Sequence, residues 1–255
     1  MEPFAGGAGV ALSLLMGKKV DKIVINDYDM AIYSFWRAII EDTDKFIELV
    51  EKTPVSINEW KEQKSIYVNN KSYSLELGFA AFYLNRTNRS GVLKGGPIGG
   101  IAQKGNYLID ARYNKPELIN RIEKIAERKN DISVYNKEVR SFISDIVPQY
   151  QYNGFVYFDP PYYIKGQELY KNYFTPDDHK TIAESITQNV QCEWIVTYDD
   201  VPQIEALYHQ YPTQKMILRY SVASTSPSGS EVIIYKKEKY CPSKQQLEQI
   251  KIKVI

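Results

Sequence analysis

The sequence predicts an α/β fold, in which a mostly parallel sheet is covered by helices on both faces. Short apolar segments alternate with amphipathic helical segments along most of the chain. The length of 255 residues, with 44% hydrophobic and 25% charged residues, suits one large domain with a sizeable core. The alternation stops over about residues 55–115, which predicts an inserted, mainly helical subdomain.

The first predicted elements surround a glycine turn. Residues 4–9 are rich in glycine and run into an apolar stretch, which predicts a helix that ends near Met16. The apolar run at 22–26 predicts the next strand. A long helical pattern over 29–52 stops before Pro54, because proline rarely continues a helix.

The later elements return to the same alternation. Runs of apolar and aromatic residues predict strands, and the last two strands are open to antiparallel pairing. Proline at the first helical position marks the start of one helix. The predicted strands are 132–135, 154–158, 193–198, 216–222 and 231–237, the predicted helices are 138–146, 176–189 and 202–211, and the loop 223–230 joins the last two strands.

Composition excludes several classes of protein. The 32 basic and 31 acidic residues give a net charge of +1, so the chain has no overall basic coat for nucleic acid. Two cysteines, Cys192 and Cys241, cannot build a disulfide scaffold, which favours the cytoplasm. Two histidines make a His-rich metal site improbable, and we expect no metal. No apolar run approaches the ~20 residues of a membrane span.

The region of about residues 55–115, where the alternation stops, contains a basic, glycine-rich segment. Helical patterns at 57–64 and 75–84 precede residues 85–115, which hold six basic residues and one acid, a local charge of +5. Six of the 14 glycines also lie there. Nucleic-acid binding and a solvated loop are both compatible with this pattern. The candidate nucleic-acid contacts are Arg86, Asn88, Arg89, Lys94, Lys104 and Arg112.

The glycine turn is a candidate cofactor site. Gly6, Gly7 and Gly9 precede a helix, so the backbone can approach a ligand and the helix start offers free N–H groups. Asp27 follows the next strand, at the position where a Rossmann-type site places an acid on ribose hydroxyls. The glycine turn and Asp27 have two interpretations: a site for an adenosine-containing cofactor, or an ordinary glycine turn followed by an acid that caps a helix.

Asp159-Pro160-Pro161-Tyr162 directly follows a predicted buried strand. Ligands of open α/β sheets bind at the carboxyl ends of strands. Two prolines stiffen this turn and remove two backbone donors, which leaves a carboxylate, a carbonyl and an aromatic ring. Asp159 and the Pro160 carbonyl can each accept one hydrogen of a planar amino group, and Tyr162 can stack on the attached ring. The alternative is a turn with a buried tyrosine.

These motifs resemble a known family. Together with Asn85-Arg86-Thr87, the segments Phe4-Ala5-Gly6-Gly7 and Asp159-Pro160-Pro161-Tyr162 occur in the order seen in the Dam-type DNA adenine methyltransferases. The resemblance implies a Rossmann-like methyltransferase sheet formed by residues 1–53 and 131–255, with residues 54–130 as a target-recognition subdomain. It also implies S-adenosylmethionine as cofactor, held by Pro3, Phe4, Ala5, Gly6, Gly7, Gly9, Asp27, Glu138 and Asp159.

The resemblance further implies the reaction. A site-specific DNA adenine-N6 methyltransferase flips adenine out of double-stranded DNA. Asp159 and the Pro160 carbonyl would bind its amino group, Pro161 would stiffen the turn, and Tyr162 would stack on the base. The implied partners are duplex DNA and a companion restriction endonuclease, and we expect a monomer. His179 is open to a general-base role, but a capping or packing role is favoured.

Two alternatives remain at this stage. In the first, the methyl group is transferred to an RNA adenine or to a protein glutamine instead of a DNA adenine. Glutamine methyltransferases typically carry Asn at the position of Asp159, which argues against glutamine. A catalytically impaired DNA-binding relative is the second alternative. Only Met1, Glu2 and Pro3 precede Phe4, and the family's upstream Gly-Lys segment has no match here. On that reading we expect weak binding of S-adenosylmethionine.

Overall fold

The computed structural model describes residues 1–164, 174–219, 228–243, 246 and 253–254. Most of the predicted loop 223–230 lies outside the described residues. Internal contacts divide the chain into two compact units. The first unit comprises Met1–Met16 and Lys137–Ile255, and the second comprises Gly17–Asn136.

The described chain combines helices with parallel and antiparallel strands, so the predicted α/β class is confirmed. The helices are α1 (Gly9–Met16), α2 (Met30–Glu41), α3 (Thr43–Lys52), α4 (Ile57–Asn69), α5 (Leu75–Thr87), α6 (Lys115–Ala126), α7 (Val139–Asp145), α8 (Pro176–Asn189) and α9 (Pro202–Leu207). The strands are β1 (Ile23–Asn26), β2 (Ile132–Tyr135), β3 (Phe155–Phe158), β4 (Glu193–Asp199), β5 (Thr213–Arg219), β6 (Ser228–Tyr235) and β7 (Lys253–Val254). No described helix is both long enough and apolar enough to cross a bilayer.

A five-stranded sheet forms the centre of the first unit. Its strand order is β3-β4-β6-β5-β7. The β3–β4 pairing is parallel, and β6 pairs with both β4 and β5 in antiparallel register. The closing strand pair is therefore antiparallel, but the described sheet has one parallel pairing where the sequence predicted a mostly parallel arrangement. The difference arises because β6 returns beside β4 instead of extending the edge.

The start of the chain runs along the outer edge of β3. The Met1 amine donates to the Phe155 carbonyl at 2.6 Å, and the Tyr157 amide donates to the Met1 carbonyl at 2.9 Å. Bonds that flank Val156 on both sides are the pattern of parallel strand pairing. The segment that leads into the glycine turn is thereby fixed to the strand that leads into Asp159.

The second unit combines a strand pair with a helical core. β1 and β2 pair in parallel, with Asn26 opposite Tyr135. Helices α2, α3, α5 and α6 enclose a buried cluster that includes Phe46, Phe79 and Tyr83. At Gly78 of α5, a Cβ atom would lie 2.5 Å from a carbonyl of α2, so these two helices approach too closely for any side chain there.

Two helices differ from the sequence predictions. The predicted helix 29–52 is two helices, because Asp42 leaves helical geometry at φ −124° and ψ 37° and caps α2 with its backbone N–H. Helix α6 was not predicted, although Asn114 caps it and Pro116 lies in its first turn. The predicted insert 54–130 falls inside the second unit, which also contains β1, α2 and α3. A separate recognition subdomain with those bounds stays a prediction.

Candidate active site

The glycine turn has an open backbone face. Gly6 and Ala8 adopt left-handed φ angles of +45° and +48°, and the Ala8 amide closes the turn on the Ala5 carbonyl. A Cβ atom built on Gly6, Gly7 or Gly9 would meet no non-neighbouring atom within 4 Å. The turn therefore presents bare backbone and the start of α1 to a space that a ligand can enter.

A buried carboxylate lies behind this turn. Glu2 is only 4% exposed, and its Oε2 accepts a hydrogen bond of 2.7 Å from the amide of Ala11 in the first turn of α1. Burial raises the pKa of Glu2 to about 7, and the negative charge of Asp159 adds to the rise. Glu2 begins the segment that resembles the family's S-adenosylmethionine loop, but it was not among the candidate cofactor contacts.

Asp159 follows β3 directly and is oriented by the neighbouring strand. The Thr197 hydroxyl of β4 donates to Asp159 Oδ1 at 2.7 Å, and it also lies 3.0 Å from the Tyr157 hydroxyl. Asp159 is exposed, so a ligand can reach it, although neighbouring protein atoms partly desolvate its carboxylate. This partial desolvation raises the pKa of Asp159, the Thr197 bond opposes the rise, and the charge of Glu231 adds to it.

The rest of the tetrapeptide is rigid. Pro160 and Pro161 are buried, and Tyr162 is half-buried. The Tyr162 hydroxyl donates to Glu231 Oε1 on β6 at 2.7 Å. The Tyr162 side chain is thus held at both ends, by two prolines at its backbone and by a carboxylate at its hydroxyl.

Asp199, the last residue of β4, holds the two residues that follow Tyr162. Its Oδ1 accepts from the Tyr163 amide at 2.8 Å, and its Oδ2 accepts from the Ile164 amide at 3.0 Å. We call residues 159–164 the substrate loop. Its acid, its aromatic ring and its backbone are each bonded to a side chain of β4 or β6.

Aromatic packing joins the substrate loop to the glycine turn. The Tyr163 ring lies 4.8 Å from His179, which lies 5.5 Å from Phe174, and Phe174 lies 5.9 Å from Phe4. His179 is buried, its Nδ1 lies 2.9 Å from the Tyr198 hydroxyl, and burial lowers its pKa. This environment agrees with the packing interpretation of His179.

The two remaining cofactor candidates have bonding partners of their own. Asp27, in the second unit, lies at the carboxyl end of β1, and its Oδ1 accepts from the Asp29 amide at 2.9 Å. Glu138, in the first unit, caps α7 by accepting from the amides of Arg140 and Ser141. Glu138 also forms an ion pair of 3.0 Å with the Arg140 side chain. Their contacts with a cofactor stay predictions.

Two residues of the basic segment stabilise the protein itself. Asn88 is fully buried, accepts from the Trp60 indole at 2.7 Å and donates to the carbonyls of Val92 and Leu93. Arg86 is half-buried and donates from Nε to the Arg112 carbonyl at 2.9 Å. These bonds are internal, so we do not carry Asn88 and Arg86 forward as DNA contacts.

The other cations of the segment differ in exposure. Arg89, Lys94 and Lys104 are exposed, whereas Arg112 is half-buried with Nη1 3.5 Å from the Asn88 carbonyl. The Lys64 amine of α4 donates to the Leu93 carbonyl at 2.7 Å and so fixes the backbone beside Lys94. The segment is a loop with a rigid base and exposed cations.

The sequence matches a family model described as D12 class N6 adenine-specific DNA methyltransferase over residues 1–222. The chain belongs to this family. The match covers the glycine turn, the basic segment and the substrate loop. The resemblance to DNA adenine methyltransferases that the motifs predicted is therefore confirmed.

Two curated relatives of the D12 chain are Type II methyltransferases by name. M.MjaIII of Methanocaldococcus jannaschii is 27% identical over 177 residues, which cover 64% of this chain and 57% of the relative. M1.LlaDCHI of Lactococcus lactis subsp. cremoris is 25% identical over 174 residues, which cover 63% of this chain and 55% of the relative. The chain thus spans a little over half the length of these relatives.

Three residues of this D12 site escaped the functional reading of the sequence, namely Thr197, Asp199 and Glu231. Asp199 carries a usable signal, because it is an acid at the carboxyl end of a predicted strand. Thr197 and Glu231 carry none alone, since their partners lie 38 and 69 residues away in the sequence.

Proposed function

We propose that this D12 chain is a site-specific DNA adenine-N6 methyltransferase, which transfers a methyl group from S-adenosylmethionine to adenine flipped out of duplex DNA. The observation that carries the proposal is the substrate loop. It offers an accessible carboxylate, a carbonyl next to it and a fixed aromatic ring at the carboxyl end of β3. Family membership supports the same conclusion.

The glycine turn fits the proposed cofactor. The open space beside Gly6, Gly7 and Gly9 is what a ligand lying on bare backbone requires. We assign residues Pro3–Gly9 to the methionine end of S-adenosylmethionine, and we keep Asp27 for its ribose and Glu138 near its adenine as sequence-based predictions. S-adenosylmethionine supplies the methyl group, which it carries on a cationic sulfur.

The chain's own residues then position the substrate. Asp159 and the Pro160 carbonyl each accept one hydrogen of the adenine amino group, which directs its nitrogen lone pair away from the loop. Thr197 holds the acceptor oxygen of Asp159 in place, and Tyr162 stacks on the base. Orientation by a preformed loop supplies much of the rate enhancement in such a transfer.

We propose that Arg89, Lys94 and Lys104 contact DNA phosphates, because they are the exposed cations of a segment with a charge of +5. Arg112 is a weaker candidate, since it is half-buried against Asn88. The Type II names of the relatives support a restriction-modification role, with a companion endonuclease as partner. We keep a monomer in the cytoplasm as the working form.

The test is an acceptor assay with S-adenosylmethionine labelled in its methyl group. Duplex DNA, RNA and total protein are offered separately, and digestion with mass spectrometry identifies the modified atom. We expect label on adenine N6 of duplex DNA. Label on RNA adenine or protein glutamine would replace the proposed substrate, and DNA binding without transfer to any acceptor would favour the impaired relative.

A further inference from the structure

We propose that Glu231 is a positioning residue for the methyl transfer, because its carboxylate sets the orientation of the Tyr162 ring on which the target base stacks. The proposal rests on the proposed function. It goes beyond that function because it assigns a role in substrate alignment to Glu231, the first residue of β6 that pairs with β4.

The strand register places the holding groups together. Glu231 of β6 lies directly opposite Asp199 of β4, and Thr197 lies two residues before Asp199. Side chains two residues apart on a strand point to the same face, and directly opposed side chains share that face as well. Three polar side chains thus form one group, which we call the loop clamp, at the carboxyl end of β4.

Each member of the loop clamp holds a different part of the substrate loop. Thr197 orients the Asp159 carboxylate at 2.7 Å, and Asp199 holds the amides of Tyr163 and Ile164. Glu231 takes the Tyr162 hydroxyl at 2.7 Å. The acceptor and the stacking ring are therefore held by one rigid pair of strands, which fixes the distance between them.

The bond from Tyr162 to Glu231 determines the angle of the ring. A tyrosine has two side-chain torsions. A fixed hydroxyl position restrains the first, and the second is restrained because the phenolic O–H lies in the plane of the ring and must still point at Glu231. A hydrogen bond to an ionised acceptor is about twice as strong as a neutral one. Since base stacking requires parallel planes, loss of this restraint lets the base tilt away from Asp159 while the acceptor itself remains.

The first part of the experiment compares three variants with the wild-type protein on duplex DNA. Tyr162→Phe removes the hydroxyl and keeps the ring, Glu231→Leu removes the acceptor, and the third variant combines both. We expect each single variant to lower kcat about tenfold, equivalent to ~1.4 kcal/mol. We expect the combined variant to lose no more than either single one, because both break the same bond.

The second part reads the base directly. Duplex DNA with 2-aminopurine at the target adenine reports stacking, since fluorescence is quenched when the base lies on an aromatic ring. We expect brighter complexes with both single variants than with the wild-type protein, with S-adenosylmethionine affinity unchanged. Glu231→Gln keeps a neutral acceptor and should recover part of kcat and of the quenching.

Controls separate the outcomes. Glu193→Gln removes a carboxylate at the opposite end of β4, where it pairs with Lys237, and should leave kcat and fluorescence unchanged. If Glu231→Leu does not fold, Glu231→Gln and Tyr162→Phe still test the bond. Additive losses, or unchanged fluorescence with unchanged kcat, would overturn the positioning role alone. A wild-type protein that methylates no acceptor would overturn the proposed function together with this proposal.

Discussion

The substrate loop and the basic segment 85–115 achieve order in opposite ways. The substrate loop has two prolines, and its carboxylate, its tyrosine hydroxyl and two of its amides are bonded to side chains of β4 or β6. The basic segment has six glycines. Asn88 and Lys64 hold its base, while Arg89, Lys94 and Lys104 are exposed. Catalysis needs fixed geometry, whereas phosphate contacts tolerate movement. The difference predicts that variants in the two regions fail in different assays.

The largest expected effect is that of Asp159→Ala, which removes the acceptor of the substrate loop. We expect methyl transfer to fall by at least ~10³-fold, equivalent to ~4 kcal/mol. The affinities for S-adenosylmethionine and for DNA should change little, because the loop remains held by Asp199 and Glu231. Initial-rate assays and calorimetric titrations measure the two properties. A residual rate within about tenfold of the wild-type rate would remove Asp159 from the chemistry.

Glu2→Gln probes the acid behind the glycine turn through stability. The folded protein raises the pKa of Glu2 to about 7, above its ordinary value of 4.5, so folding favours the protonated form. The contribution of protonated Glu2 to the free energy of unfolding is therefore fully present below pH 4.5, and it is lost as the pH rises through about 7. At pH 8 the loss of stability is at most ~3.5 kcal/mol, because each unit of pKa difference corresponds to about 1.4 kcal/mol.

Glutamine mimics the protonated acid and can still accept from Ala11. Denaturant unfolding should therefore show Glu2→Gln more stable than wild type at pH 8 and equal to it at pH 4. The exposed acid Glu184 provides a control, since Glu184→Gln should follow the wild-type pH dependence. Equal curves for Glu2→Gln and wild type would mean that the buried acid carries its charge without cost.

Asn88→Ala tests the base of the basic segment. The substitution leaves the Trp60 indole without its partner and removes one of two bonds to each of the Val92 and Leu93 carbonyls. A polar group left unsatisfied away from water costs ~1–3 kcal/mol. We expect the free energy of unfolding to fall by about 2 kcal/mol. Asn120→Ala on the exposed face of α6 should be nearly neutral. Stability unchanged by Asn88→Ala would return Asn88 to the candidate DNA contacts.

The smallest effect on stability belongs to the exposed cations. Replacing Arg89, Lys94 and Lys104 with Ala should leave unfolding within about 0.5 kcal/mol of wild type. DNA affinity should nevertheless weaken, and its salt dependence should lose a slope of ~0.9 for each lost phosphate contact, or about 3 in total. The matched control replaces Lys22, Lys124 and Lys129, which are equally exposed. A similar loss of DNA affinity in that control would mean that the net charge of the protein, and not the position of the three cations, causes the effect.

The sequence revealed the substrate loop better than the basic segment for a physical reason. Prolines stiffen a chain through covalent structure, so Asp159-Pro160-Pro161-Tyr162 constrains itself and can be recognised locally. The roles in the basic segment depend on distant residues. Asn88 is buried because Trp60, 28 residues earlier, reaches it, and nothing in the local sequence separates it from exposed Arg89.

The same distinction explains the remaining differences. The break at Asp42 depends on the packing of both helices onto one aromatic cluster, which a helical pattern does not reveal. The loop clamp depends on the β4–β6 register, which is set by the return of β6 beside β4. Helix α6 is the exception, because it was not predicted although its cap Asn114 and Pro116 are local signals of a helix start.

On the proposed function, the substrate loop performs the chemistry, while the exposed cations only bind DNA. The most direct measurement is the single-turnover rate of methyl transfer at saturating DNA and S-adenosylmethionine. For the variant without Arg89, Lys94 and Lys104 we predict a rate within about twofold of wild type, and for Asp159→Ala a rate lower by at least ~10³-fold. Equal losses in the two variants at saturation would contradict this separation of binding from chemistry.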